Sequence, residues 1–242
     1  MDPWQYDPAA DLEQPLVERL RHFPREPDML VYGLRSFAAL ACRAWLRMYH
    51  RFRIMGRGRL PAEGSFVMVA NHSSHLDALC LLAALPVGRL HRTFPAAARD
   101  YFFVNVPGTF AAAVFVNALP FERETSPRQS LAVCRGLLEN PGNVLILFPE
   151  GSRSTTGSVA EFKPGVGMML AGCDTPVFPC YIAGAHAALP KGAWVPRPRA
   201  VTLRLGEPLR FADRPHGKES AVQIARDLRA AVLALAPRES AA

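Results

Sequence analysis

The chain has 242 residues, half of them apolar, with 28 Lys and Arg against 21 Asp and Glu. That length and apolar content are enough for one packed domain of roughly 200 residues, which excludes intrinsic disorder for the bulk of the chain. The formal charge of +7 is uneven: residues 1–28 carry −4, residues 29–59 carry seven arginines and no acid, and the remainder carries +4. Five scattered cysteines without a C-x-x-C pair exclude a zinc ribbon and a disulfide framework, and fit reduced thiols in a cytosolic setting. The first 28 residues, acidic and broken by prolines, are the opposite of a secretory signal. No uninterrupted apolar run reaches 18 residues, so a simple spanning helix is not expected.

The spacing predicts a helix over residues 29–50. Leu30, Leu34, Phe37, Ala41, Trp45 and Met48 recur three and four apart on one face, while Arg35, Arg43, Arg47, His50 and Arg51 fall opposite. A surface helix with solvated arginines is one reading. An anionic membrane interface is the other, and the absence of any acid, with Phe37 and Trp45 on the apolar face, favours it. No recognised nucleic-acid module accompanies the basic stripe, so nucleic acid is not expected as a partner.

Downstream, Arg51–Arg57 alternates as a short strand and residues 65–70 form a buried β-branched strand. Leu76–Leu85 reads as a helix ended by Pro86. The uncharged stretch 101–121, interrupted by Pro107-Gly108, suits either a buried strand-loop-helix or an apolar surface touching lipid or an acyl chain. A helix follows at 127–139, with Ser126 as cap and Pro127 in its first turn, then the clearest strand at 143–148. Further strands at 177–182 and 201–205 precede a terminal amphipathic helix at 219–235. Strands alternating with helices predict a single-domain α/β fold, a mostly parallel sheet flanked by helices over 51–242, with residues 1–50 as an N-terminal amphipathic helical extension.

Two polar segments sit at strand ends, where sites form in such sheets. After the first strand comes Asn71-His72-Ser73-Ser74-His75-Leu76-Asp77. With a turn at 71–74, the Asp77 carboxylate reaches back to the His72 imidazole, fixing its tautomer for proton abstraction. Simple helix capping by Ser73, Ser74 or Asp77, or metal ligation by His72, His75 and Asp77, are the alternatives. After the strand at 143–148 comes Phe148-Pro149-Glu150-Gly151-Ser152-Arg153-Ser154. Gly151 and the hydroxyls offer close-approaching donors and Arg153 a bidentate phosphate partner; a polar loop with a paired arginine is the alternative. The spacing is not that of a Walker loop, and no G-x-S-x-G elbow is present. Arg123 follows the uncharged stretch, a position that taken alone suits a surface ion pair.

An N-H-x-x-x-x-D box (Asn71, His72, Asp77) followed by F-P-E-G-S-R (Phe148 to Arg153) resembles the glycerophospholipid acyltransferases, whose type member is 1-acylglycerol-3-phosphate acyltransferase. Phe162-Lys163-Pro164-Gly165, Gly206-Glu207-Pro208-Leu209 and the segment around Pro179 extend the likeness over about residues 50–212. One box departs: Pro120 stands three residues before Arg123, where the family usually has an aromatic. The resemblance implies that His72, oriented by Asp77, is the general base for acyl transfer to a lysophospholipid, most directly 1-acylglycerol 3-phosphate. The donor would be acyl-CoA or acyl carrier protein as a substrate, with no cofactor and no metal. Asn71, Arg123, Glu150, Gly151, Ser152 and Arg153 would hold the acceptor. Arg35, Phe37, Arg43, Trp45 and Arg47 would meet an anionic membrane, placing the protein peripherally on the cytoplasmic face of the cell membrane. Competing expectations are a different acceptor (glycerol 3-phosphate, another lysolipid, a non-phospholipid alcohol), a metal-dependent hydrolase, or a non-catalytic membrane binder.

Overall fold

The computed structural model describes residues 29–98, 119–121 and 127–237. The acidic segment 1–28, most of the uncharged stretch, Arg123 and Ser126 lie outside the described residues.

The frame is a seven-stranded sheet built from β1 (Arg53–Met55), β2 (Phe66–Ala70), β3 (Thr93–Ala98), β4 (Leu119–Phe121), β5 (Val144–Leu147), β6 (Val177–Ala183) and β7 (Thr202–Leu205). Their order across the sheet is β1-β7-β6-β2-β5-β3-β4. Every neighbouring pair is parallel except β6 with β7. The helices are α1 (Met29–Tyr49), α2 (Leu76–Ala84), α3 (Pro127–Glu139), α4 (Gly165–Leu170), α5 (Ala185–Ala188) and α6 (Lys218–Leu233). The single-domain, mostly parallel α/β architecture expected from the sequence is the one observed.

Strand β2 is central and every residue of it is buried, as a strand covered on both faces requires. Its pleat divides the core. Phe66, Met68 and Ala70 join Val144, Ile146, Phe178 and Ile182 beneath α1 and α2, whereas Val67 and Val69 join Leu145, Leu147 and Val177 beneath α4 and α6. The second layer is tight enough to demand a glycine. A Cβ on Gly167 of α4 would stand 2.0 Å from the backbone oxygen of Ala221 in α6, so the two helices touch backbone to backbone.

Helix α1 spans the expected residues but turns the unexpected face inward. Arg35 is only 3% exposed, and Arg43 donates to the backbone oxygens of Leu82 and Leu85 at the end of α2. The Leu82 carbonyl also accepts the Leu85 amide at 3.2 Å, and the guanidinium adds a donor at this helix end, where carbonyls run out of intrahelical partners. Burial pushes the Arg35 guanidinium down to about 10. His50 is buried too, with its Nδ1 3.2 Å from the Arg199 oxygen. The outward face is the apolar one: Phe37 is 74% exposed and Met48 81%, with Leu34 and Leu40 beside them. The expectation that Arg35 and Arg43 face lipid headgroups is therefore corrected. Trp45 packs half-buried against the core, leaving Arg47 and Phe37 as the exposed members of that set. Among the described residues no helix is long and apolar enough to cross a membrane.

Replacing Gly167 by Ala is expected to destabilise the fold by about 3 kcal/mol, because the α4–α6 contact has no room for a methyl group. Chemical denaturation of the two proteins measures this directly.

Candidate active site

The carboxyl end of β2 opens into the turn Asn71–Ser74, and α2 follows at once. Asp77, in the first turn of α2 and fully buried, folds its side chain back over that turn. One oxygen, Oδ2, accepts from the backbone amides of Ser73 and Ser74 at 2.6 and 2.8 Å and lies 2.9 Å from His72 Nδ1. Ser74 Oγ accepts from the Leu76 amide at 3.1 Å, completing the helix start. The His72 ring stacks on Phe148, centroids 4.1 Å apart and planes 19° from parallel. The imidazole is thus fixed by a carboxylate at one nitrogen and an aromatic face beneath, with its side chain 22% exposed. Capping and imidazole orientation, alternative readings of the sequence, are divided here: Ser74 Oγ takes the first amide of α2, and Asp77 holds the imidazole and the turn before the helix.

The second segment leaves the adjoining strand, β5, and is fastened to the first. The Ser154 amide donates to the His72 oxygen at 2.8 Å, and the His72 amide donates to Glu150 Oε1 at 2.6 Å. Glu150 Oε2 accepts from the Ala160 amide at 3.0 Å. Burial raises the Glu150 carboxyl above its ordinary range, while the two amides pull the other way. Gly151 holds φ +77° as the chain turns, its amide donating to the Phe148 oxygen at 3.0 Å. Over it lies Lys163: a Cβ on Gly151 would stand 2.8 Å from both Cε and Nζ of that lysine.

The sequence-assigned residues separate accordingly. His72 and Asp77 meet as expected. Gly151 and Arg153 stand half-buried on the loop joined to them, with Ser152 exposed at its outer side. Asn71 and Glu150 have other work. The Asn71 amide donates to the Ile182 oxygen at 3.1 Å and accepts from the Ile182 amide at 2.8 Å, tying β2 to β6. Both are buried with their polar atoms engaged by backbone, so they position the site rather than offer free ligands to a substrate.

Two participants were not singled out for a role in the sequence. Lys163 was visible only as part of an F-K-P-G run, and its approach to Gly151 depends on the chain returning after ten residues of loop. From the sequence alone His75 suggests only a metal ligand. Among the described residues no group of three or more His, Cys, Asp and Glu side chains is arranged to hold a metal ion. Instead, burial and then the neighbouring Arg153 push the His75 imidazole down to about 4.

A half-buried imidazole paired with a fully buried carboxylate thus lies beside a glycine-turned loop that carries Arg153 and is overlain by Lys163, both segments at strand ends of an α/β sheet. The family model described as Acyltransferase matches residues 51–183, and the chain belongs to that family. Among curated proteins, the chain is 24% identical over 147 residues to a 1-acyl-sn-glycerol-3-phosphate acyltransferase of Limnanthes douglasii, covering 61% of this chain and 51% of that one. It is 29% identical over 183 residues to a protein of the same name from Chlamydomonas reinhardtii, covering 74% and 50%. The chain thus spans about half the length of these curated relatives. The crystal structure of the 1-acyl-sn-glycerophosphate acyltransferase PlsC from Thermotoga maritima shares the fold, with a TM-score of 0.63 at 24% identity over 86% of this chain and 81% of that one.

Two outcomes follow from this geometry. Glu150→Gln replaces one amide-accepting oxygen by a donor, and is expected to cost about 2 kcal/mol in denaturant unfolding. His75 resists protonation when folded but takes a proton near pH 6.5 when unfolded, so its contribution is present above about pH 6.5 and is lost as pH falls towards about 4. His75→Gln is expected to flatten the fall in thermal midpoint across that window.

Proposed function

We propose that the protein transfers an acyl group from an acyl thioester to the hydroxyl of a lysophospholipid, most directly 1-acylglycerol 3-phosphate, giving phosphatidic acid. The observation that carries this reading is the 2.9 Å contact of His72 Nδ1 with the buried Asp77, which leaves Nε2 to take a proton. In this reading Nε2 removes the acceptor's hydroxyl proton as the oxygen attacks the thioester carbonyl. The tetrahedral intermediate collapses, the C–S bond breaks, and the departing thiolate takes the proton back from Nε2. Asp77 holds the tautomer and balances the transient imidazolium. No covalent acyl-enzyme forms and no cofactor enters; acyl-CoA or acyl carrier protein is consumed as a substrate.

The acceptor's phosphate is assigned to the donors around Gly151, Ser152 and Arg153, with Lys163 above them and Arg123 contributing from the segment outside the described residues. Asn71 and Glu150 act through the backbone they hold. The uncharged stretch before β4 is the candidate wall for the acyl chain. In this reading the protein lies peripherally on the cytoplasmic face of the membrane, supported by the outward apolar face of α1 around Leu34, Phe37 and Met48. That face is the second support for a lipid acceptor.

Transfer of radiolabelled acyl groups to lysophosphatidic acid tests the reading. His72→Ala is expected to reduce turnover about 10³-fold, and Asp77→Asn to fall in the same direction. Full activity in His72→Ala would remove the mechanism.

A further inference from the structure

The loop between α5 and β7 holds Trp194 95% exposed and Val195 76% exposed. This exposure is built, not slack. Pro190, Pro196 and Pro198 restrict the backbone, the Ala193 amide donates to the Pro190 oxygen at 3.0 Å, and the Arg197 amide donates to the Ala188 oxygen at 2.7 Å. Tyr49 at the end of α1 donates its hydroxyl to the Pro196 oxygen at 3.0 Å. The loop tip is therefore braced against the same helix end that presents Met48.

Charge accompanies the apolar tip. Lys191, Arg197 and Arg199 are exposed, none of them in an ion pair among the described residues. No acid occurs between Asp174 and Glu207. An indole held outward between cations fits the headgroup region of an anionic bilayer, where the ring enters the acyl boundary and the cations meet phosphates.

Topology sets the loop on the catalytic side. β6 and β2 are parallel, so their carboxyl ends share one edge of the sheet, and α5 follows β6 at that edge. β7 pairs antiparallel with β6, Thr202 facing Ala183, which brings the loop's return and the start of β1 to the same edge. A Cβ on Gly157 would stand 3.0 Å from the His186 ring of α5, so the loop that carries Arg153 is a neighbour of α5.

We propose that loop 190–199 is a second membrane-contact element, in which Trp194 and Val195 enter the interface of an anionic bilayer while Arg197 and Arg199 meet its headgroups. With α1 it fixes how the protein lies, setting the edge that carries His72 towards the lipid. This rests on the peripheral placement proposed above, and the experiment separates the two.

The full chain carries three tryptophans, at positions 4, 45 and 194. In the Trp4→Phe/Trp45→Phe variant, Trp194 emission is expected to shift to the blue and to be quenched by brominated lipid on adding phosphatidylcholine–phosphatidylglycerol vesicles. In the otherwise native chain, Trp194→Ala is expected to weaken vesicle affinity about tenfold in co-sedimentation, with an unchanged thermal midpoint. Arg197→Gln/Arg199→Gln is expected to lose about fivefold per arginine on those vesicles and nothing on pure phosphatidylcholine. Vesicle binding that leaves Trp194 emission and Trp194→Ala affinity unmoved would overturn the loop's role and spare that of α1. No vesicle binding by the full chain would overturn both.

Discussion

One carboxylate oxygen governs the site. Asp77 Oδ2 receives two backbone amides and the His72 imidazole, so a single fully buried anion closes the turn between β2 and α2 and orients the His72 ring. A buried charge is tolerable only when donors surround it, and the start of a helix adds a favourable dipole. Because the turn's own amides supply two of the three donors, strand exit and imidazole orientation are inseparable. Any change that neutralised Asp77 would loosen the backbone at Ser73 and Ser74 together with the ring it holds.

The second loop depends on the first through the backbone of His72. Its amide donates to Glu150 and its carbonyl accepts from Ser154, so both sides of one peptide position are claimed by residues after β5. β2 and β5 are adjacent and in parallel register, Val69 opposite Leu147, which delivers the two loops to the same edge. Asn71 performs the equivalent fastening on the other flank, to Ile182 of β6. Buried polar residues thus make the frame, and the groups left facing outward (the His72 ring, the Gly151–Arg153 turn, Lys163) are those to which chemistry is assigned.

Much of this was legible in the sequence, for identifiable reasons. The strands at 66–70 and 144–147 are short apolar runs bounded by turn residues, and α3 begins at Pro127 as its first-turn signal required. β3 was not anticipated: Thr93–Ala98 contains Pro95 and three alanines, poor strand formers in isolation, and its structure comes from pairing with β5 and β4. α4 was hidden by Gly165 and Gly167, of which the second is required by the approach of α6. The His72–Asp77 pair was legible because both residues lie within one turn, whereas the partner of Asn71 is 111 residues away. Periodicity separated Leu34, Phe37 and Met48 from Arg35, Arg43 and His50 but put Trp45 and Arg47 on the wrong sides, and it carries no information about which face meets the core.

That inversion connects the fold to the proposed activity. Two arginines are placed inward, Arg43 over the terminal carbonyls of α2 and Arg35 buried near His91 in the segment that precedes β3. The apolar face is thereby left outward, an arrangement that water disfavours and a bilayer interface rewards. α1 runs towards the sheet edge that carries His72, since its end is continuous with β1, whose Arg53 lies opposite Thr202 at the carboxyl end of β6. On the lipid reading, an acceptor whose acyl chain stays in the bilayer needs only to raise its glycerol hydroxyl to that edge. The same outward face then accounts for the amphipathic pattern of α1, for the inward turn of Arg35 and Arg43, and for His72 sitting where strands end beside it.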